Sequence, residues 1–291
     1  MLTAKEINKP SDYIIIDDMT SQHYHSVDLQ NLSISSSMIR SFQSQTPACF
    51  YEELKNPKEP SNKAFSLGSA LHAYIFQKEK FLQEVVIMPK KIDNFRTKEA
   101  QQLRDEAFES GRVVILHDEL ETIKLYEDSF KKNRLVSSLI DFTGKVESSI
   151  FINNHPSGMI IKARPDYISK NGIIIDYKST ESAEYNDFKR SVIKYGYFQQ
   201  AAWYLDICKM ANIEASAFVI IAQEKKPPYP INVFVLSDDL IEVGRQNNKN
   251  QLEKIAFCYK NNNWPAYPEN LIEIGYDGLT ESQKYEIQKN N

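Results

Sequence analysis

The stretch Met159-Ile-Ile-Lys-Ala-Arg-Pro-Asp-Tyr-Ile-Ser-Lys-Asn-Gly-Ile-Ile-Ile-Asp-Tyr-Lys-Ser-Thr180 decides how this chain is read. Two β-branched runs, Met159–Ile168 and Ile173–Lys178, flank Ser169-Lys170-Asn171-Gly172. Asn-Gly between two apolar runs is the strongest short-range hairpin signal. On a strand, residues i and i+2 share a face, so Asp176 and Lys178 project together while Tyr177 points away. The turn folds the strand carrying Asp166 back beside them, and two carboxylates and one ammonium converge. Carboxylates with open water positions suit Mg2+. A lysine beside such an ion orients or deprotonates a water, and the ion lowers that water's pKa and offsets charge on a phosphoryl oxygen. The arrangement points to hydrolysis of a phosphodiester. A Pro-Asp followed within about 30 residues by (Asp/Glu)-x-Lys arises by chance in roughly one chain in ten of this length. Its bland reading is an exposed hairpin with a surface ion pair of little worth. Against that, Asp176 directly follows Ile173–Ile175, a run that reads as buried strand, and a charge there requires a reason.

Working outward, Lys145–Asn153 is a further β-branched run closed by Asn154-His155-Pro156-Ser157-Gly158, so the middle of the chain reads as a three-stranded meander. Helical patterns follow at 183–191 and 195–211, then strands at 215–223 and 230–236 and a last helix from about 238 to 260. The first half reads as helical. Ser35, Ser36 and Ser37 are N-cap candidates before Met38, Ile39 and Phe42. Leu67, Leu71, Ile75 and Phe76 form an apolar helical stripe, and 98–109 and 118–133 are charged, helix-favouring stretches. Lys55–Lys63 is the best loop signal. The expected architecture is α/β, a mixed central β-sheet flanked by helices with a helical N-terminal part. We read residues 1–291 as a single domain, with an N-terminal extension and Ser-rich helix over 1–60, a core over 61–265 and a C-terminal tail over 266–291.

Composition narrows the class. The 291 residues are 42% hydrophobic and 25% charged, which excludes wholesale disorder and a coiled coil. The apolar runs are too short to cross a bilayer, and no secretory signal opens the chain. Three widely spaced cysteines, Cys49, Cys208 and Cys258, argue for a reducing compartment and against a four-cysteine metal site. The expected location is the cytoplasm. A net charge of −4 weakens a histone-like coating role but does not exclude an enzyme of nucleic acids. One basic strip, with Lys90, Lys91, Arg96, Lys98 and Arg104, reads most simply as a solvated loop and helix face.

Three further residues could join the hairpin. His72 lies four residues after Gly68 on the apolar helix, where a satisfied core histidine is the ordinary reading. Gln200 and Tyr204 are an i, i+4 pair on one helical face, where core packing with polar tips is the ordinary reading. His23-x-His25 has no third ligand near in sequence, and His117 and His155 sit beside loops.

Taken in order, these elements resemble the PD-(D/E)XK nuclease superfamily, and within it the C-terminal nuclease domain of RecE (exonuclease VIII) and related phage or prophage exonucleases. The resemblance rests on Ile34-Ser-Ser-Ser-Met-Ile39 with Thr46-Pro-Ala, Phe65-Ser-Leu-Gly-Ser-Ala-Leu-His72, Glu147-Ser-Ser-Ile-Phe151, Arg164-Pro-Asp166, Asp176-Tyr-Lys-Ser-Thr180, Gln200-x-x-x-Tyr204 and Trp264-Pro265. It implies that His72, Asp166 and Asp176 ligate Mg2+ or Mn2+ with the Tyr177 backbone carbonyl, and that Lys178 positions the attacking water. It gives Glu147 a place as second-metal or water-mediated ligand, and Gln200 and Tyr204 a supporting or strand-contacting role. Ser35 and Ser37 open a helix whose N–H groups and hydroxyls can hold an anion; with Arg40 they are the candidates for binding a 5′-phosphate. The segment 89–98 matches in basic character alone. The cysteines set the chain apart from iron–sulfur nucleases with a similar His…Asp…Asp-x-Lys pattern.

The resemblance therefore implies a Mg2+-dependent exonuclease that resects linear duplex DNA ends 5′ to 3′. It would leave 3′ single-stranded tails for a RecT-type annealing protein and would work as a ring-shaped trimer or tetramer, with no membrane role. The rivals are a structure-specific endonuclease or single-strand exonuclease on the same fold, and an inactive DNA- or partner-binding recombination protein.

Overall fold

The computed structural model describes residues 11–26, 33–56, 67–110, 112–140 and 143–289; most of the loop read at 55–63 lies outside them. The chain opens with β1 (Tyr13–Ile16), the single turn α1 (Ser21–Tyr24) and β2 (Ser33–Ser35), which runs directly into α2 (Ser36–Gln43). Ser35 caps α2, its hydroxyl accepting from the Met38 N–H, and Thr46 caps α3 (Pro47–Lys55) in the same way. There follow α4 (Leu67–Phe76), α5 (Lys78–Glu84), β3 (Val85–Ile87), α6 (Lys98–Glu109), β4 (Val113–Ile115), α7 (His117–Lys132) and α8 (Arg134–Leu139). The basic strip falls on the loop before α6 and on α6 itself, where Lys91 pairs with Glu99 and Arg104 with Asp105.

The middle of the chain departs from a simple meander. Each of its first two strands breaks and passes from one sheet into another. Lys145–Asn153 becomes β5 (Lys145–Val146) and β6 (Ser149–Ile152), and Met159–Ile168 becomes β7 (Ile160–Ala163) and β8 (Tyr167–Ile168). The first break is at Glu147, whose φ of 48° is left-handed and cannot continue a strand. The second is at Arg164-Pro165-Asp166, where proline has no N–H for the ladder. The Glu147 N–H donates to the Asp166 carbonyl at 3.1 Å and ties the two breaks together. The third strand, β9 (Ile173–Thr180), is unbroken. Its hairpin closes through Gly172 at φ 73°, a left-handed position that glycine takes without strain.

After β9 the chain crosses through α9 (Tyr185–Lys194) and α10 (Tyr197–Met210) to β10 (Ala217–Glu224), parallel to β9, then turns back as β11 (Ile231–Val235). A long helix, α11 (Asp238–Asn261), and a short one, α12 (Glu281–Lys289), complete the chain. Among the described residues a five-stranded sheet has the order β11-β10-β9-β8-β5, a four-stranded one β1-β6-β7-β2, and β3 and β4 pair as a third. The expected class, a mixed sheet flanked by helices, holds. One core joins α2, α3, α9, α10 and α11 to one face through Ile168, Ile174, Phe218 and Ile220. The other joins α4 and α7 to the opposite face through Tyr167, Ile175, Tyr177 and Ile221. Because β9 is covered on both faces, a charge on it is buried, as the Ile-Ile-Ile run implied.

Gly244 lets α11 lie against α10, since a Cβ there would stand 2.3 Å from the Phe198 carbonyl oxygen. Gly244→Ala is expected to destabilise by at least about 1 kcal/mol in urea denaturation, despite alanine's better helix propensity, because the helices must part. An unchanged midpoint would show that α10 is not seated by this contact.

Candidate active site

The two strand breaks and β9 deliver their polar side chains to one point. Asp166 reaches across the hairpin, and its Oδ2 accepts the Tyr177 N–H at 2.8 Å. Asp176 and Lys178 project together from β9, with Asp176 Oδ2 2.6 Å from Lys178 Nζ. Tyr177 points the other way, into the second core, where its hydroxyl donates to buried Gln223. Asp176 is 1% exposed, and its Oδ1 accepts from Gln200 Nε2 at 2.8 Å. From α4, His72 inserts between the broken strands, with Nδ1 3.0 Å from Glu147 Oε1 and Nε2 3.1 Å from Asp166 Oδ2. Arg164 Nη2 donates to the other Glu147 oxygen.

Three carboxylates and three cations thus share a mostly buried volume, and their ionisation follows from it. Burial alone would lower His72, but Asp166 and Glu147 outweigh it and push it up to about 10. Burial would raise Glu147; His72 and Arg164 hold it down at about 2. Asp166 is held below the usual carboxylate range against its burial, by His72, Lys178 and the Tyr177 N–H. Burial pushes Asp176 up to about 6, with Lys178 opposing and Asp166 reinforcing the rise. Lys178 is desolvated too, yet Asp176 and Asp166 raise it and keep it an ammonium.

Tyr204, one turn beyond Gln200, is in hydrogen-bonding contact with it and is raised by burial and by Asp176 and Asp166. Arg40 donates to Ser36 Oγ at 2.6 Å and faces the same cluster; burial lowers it, while Tyr204, Asp176 and Tyr197 pull it back. The hydroxyls of Ser35 and Ser37 lie 2.9 Å apart at the start of α2. Among the described residues, neither hydroxyl hydrogen-bonds to the carboxylates. Two contacts went unread in the sequence. Arg164 belongs to the quoted motif, but its pairing with Glu147 depends on two strand breaks meeting. Tyr197, whose ring lies 5.0 Å from Lys178 Nζ, could have been found, since 197, 200 and 204 follow an i, i+3, i+7 spacing.

The donor set can be tested against a divalent cation. Among the described residues no three His, Cys, Asp or Glu side chains form a ready-made metal cage. The His72 ring stands where two carboxylates meet, and Asp176 Oδ2 and His72 Nε2 are buried with only ion-pair partners, Lys178 and Asp166. Positive charge is already required at this position. Carboxylate oxygens with one imidazole form a donor set that accepts a divalent ion in its place.

The family described as a PDDEXK-like domain of unknown function (DUF3799) matches residues 35–273, well over half of the chain. The chain belongs to this family. That membership makes it a PD-(D/E)XK-type nuclease, as the motif order implied, and enzymes of this kind usually use divalent metals. A protein of Eubacterium rectale to which exonuclease activity is ascribed superposes with a TM-score of 0.59 at 15% identity, over 85% of this chain and 88% of its own. At that identity the likeness is one of fold. An alkaline exonuclease from Laribacter hongkongensis matches 64% of this chain and 97% of its own at 16% identity, with a TM-score of 0.27. No curated protein matches the sequence. Among the described residues, no helix is long and apolar enough to cross a membrane.

Proposed function

We propose that this DUF3799 protein is a Mg2+- or Mn2+-dependent exodeoxyribonuclease that resects linear duplex ends 5′ to 3′ and leaves 3′ single-stranded tails. The observation that carries the nuclease part is the buried Asp166–Asp176–Lys178 cluster closed by His72 and Glu147. Polarity and the resection product come from the resemblance to RecE-type exonucleases. So do a RecT-type annealing partner and a trimeric or tetrameric ring acting in the cytoplasm.

In this reading His72, Asp166, Asp176 and the Tyr177 carbonyl would hold the ion, with Glu147 as a second-metal or water-mediated ligand. When bound, the ion supplies Lewis-acid charge at a phosphoryl oxygen and a more acidic water. The chain's own residues do the rest. Lys178, kept as an ammonium by Asp176 and Asp166, donates to the attacking oxygen and so orients it. Gln200 fixes the Asp176 carboxylate by its 2.8 Å hydrogen bond. Arg164 keeps Glu147 ionised and turned toward His72. Burial of the cluster excludes bulk water and strengthens each of these interactions. Ser35, Ser37 and Arg40 are the proposed seat of the 5′-phosphate.

The test is purified protein with linear duplex DNA labelled separately at 5′ and 3′ ends, with Mg2+ or Mn2+, beside a covalently closed circle and the Asp176→Ala protein. Nucleotides released from 5′ ends, an intact circle and an inert variant are expected. A cut circle would keep the site and replace the exonuclease by an endonuclease. Cleavage of single strands alone would reassign the substrate. No cleavage with either metal would leave a binding protein.

A further inference from the structure

Beside the carboxylate cluster, the turn between α9 and α10 carries Tyr195, Gly196 and Tyr197. Tyr195 is 51% exposed. Its ring stacks on that of Tyr197, with centroids 5.7 Å apart and planes at 28°. Tyr197 in turn lies over Lys178 and packs on buried Phe188. A row of flat groups therefore runs from solvent to the lysine of the site. The turn that sets this row is constrained. Gly196 is left-handed at φ 64°, and a Cβ there would meet the Arg40 side chain at 2.7 Å and the Gln199 side-chain oxygen at 2.8 Å. Tyr195 is held on a rigid corner.

The surface next to it has the complementary charge. On α9, Phe188 and Val192 are buried, so Tyr185, Lys189, Arg190 and Lys194 are left on the outer side, Arg190 paired with Asp187. Among the described residues neither Lys189 nor Lys194 is paired with a carboxylate. Lys194 sits 5.3 Å from the Tyr195 ring centre and Lys189 5.4 Å from that of Tyr185. Exposed aromatic rings interleaved with unpaired lysines are the surface that single-stranded nucleic acid uses, bases on the rings and phosphates on the ammonium groups.

We propose that Tyr195 is a stacking platform for a nucleobase of single-stranded DNA, holding a frayed strand next to the Lys178 side of the site. The inference rests on the nuclease reading for its purpose, though not for its test. Stacking tolerates any base, so the platform confers a preference for unpaired over paired ends rather than for sequence. An end that breathes would be captured base by base as the strand advances.

Binding is measured first without divalent metal, so that nothing is cut, using a duplex with a short 5′ single-stranded tail containing 2-aminopurine. Tyr195→Ala is expected to weaken binding by ~5- to 100-fold and to abolish the quenching of 2-aminopurine, whereas Tyr195→Phe keeps both. Tyr285→Ala, at another exposed tyrosine, is the control and should change neither. With Mg2+, Tyr195→Ala should raise KM by a similar factor and leave kcat within about twofold. The proposal is overturned if Tyr195→Ala and Tyr195→Phe bind alike, if the wild type neither binds the tail nor quenches the probe, or if kcat alone falls. Ring-dependent binding by a wild type that never cuts would uphold the platform and defeat the nuclease reading.

Discussion

Asp176→Asn protein is expected to fold normally and to cleave DNA ~10²–10⁴-fold more slowly than the wild type. Asparagine keeps the volume of a side chain that is 1% exposed, and its oxygen can still accept from Gln200. Its amide, however, places a donor against the Lys178 ammonium in place of the carboxylate oxygen 2.6 Å away. The substitution removes one negative charge from the metal-binding set and the group that keeps Lys178 in position. Rates should be measured under single turnover, with melting temperatures recorded with and without Mg2+. The wild type should gain thermal stability from the metal and the variant should gain little. Residual activity within tenfold of wild type would remove Asp176 from the site.

A second large effect is expected away from the metal ligands. Lys162 on β7 is 2% exposed and, among the described residues, faces no carboxylate. Its Nζ donates to the Tyr24 carbonyl at 2.9 Å and lies 4.7 Å from the Tyr24 ring centre. Burial lowers it from 10.5 to about 8. The unfolded chain therefore holds this proton more tightly, and wild-type stability should rise as pH climbs from about 8 to about 10.5, contributing on the order of 3 kcal/mol. Lys162→Met removes that penalty and also a hydrogen bond worth about 1 kcal/mol. The variant should be more stable than wild type by about 2 kcal/mol at pH 7 and slightly less stable near pH 10.5. Urea midpoints at the two pH values give the answer. A variant weaker at both would mean that the ammonium has a counter-charge.

The turn and second strand of the hairpin were legible in the sequence. Asn171-Gly172 set the turn, and alternation put Asp176 and Lys178 on one face with Tyr177 on the other. The helix at 98–109 was legible from its charged, helix-favouring composition, and the last helix, read from about 238 to 260, from a pattern that runs over many turns. His72 was not, since its contact with Asp166 joins an α4 residue to a strand break more than 90 positions later, and local pattern carries no such information; only the ordered motifs pointed to it. The strand breaks escaped for a related reason. Arg164-Pro165-Asp166 warned of an interruption, yet Glu147 looks like an ordinary strand residue, and its left-handed backbone is imposed by the pairing with the other break. Short strands such as Ser33–Ser35 and Val85–Ile87 offer too few residues to show a period of two. Lys162 gave no signal, because a lysine in a strand reads as solvent-facing until Tyr24 is known to cover it.

Glu147 occupies a backbone position that favours glycine or asparagine, with a φ of 48° that costs a glutamate on the order of 1 kcal/mol. That strain is outweighed by the two cations the carboxylate serves: glycine or asparagine would relieve it but leave Arg164 and His72 buried without this partner, a loss on the order of 3 kcal/mol. A library of variants sorted for thermal resistance alone should therefore still return glutamate at 147, as should the same library sorted for DNA cleavage. In a lineage released from the need to cut DNA, this position should drift only together with Arg164 and His72.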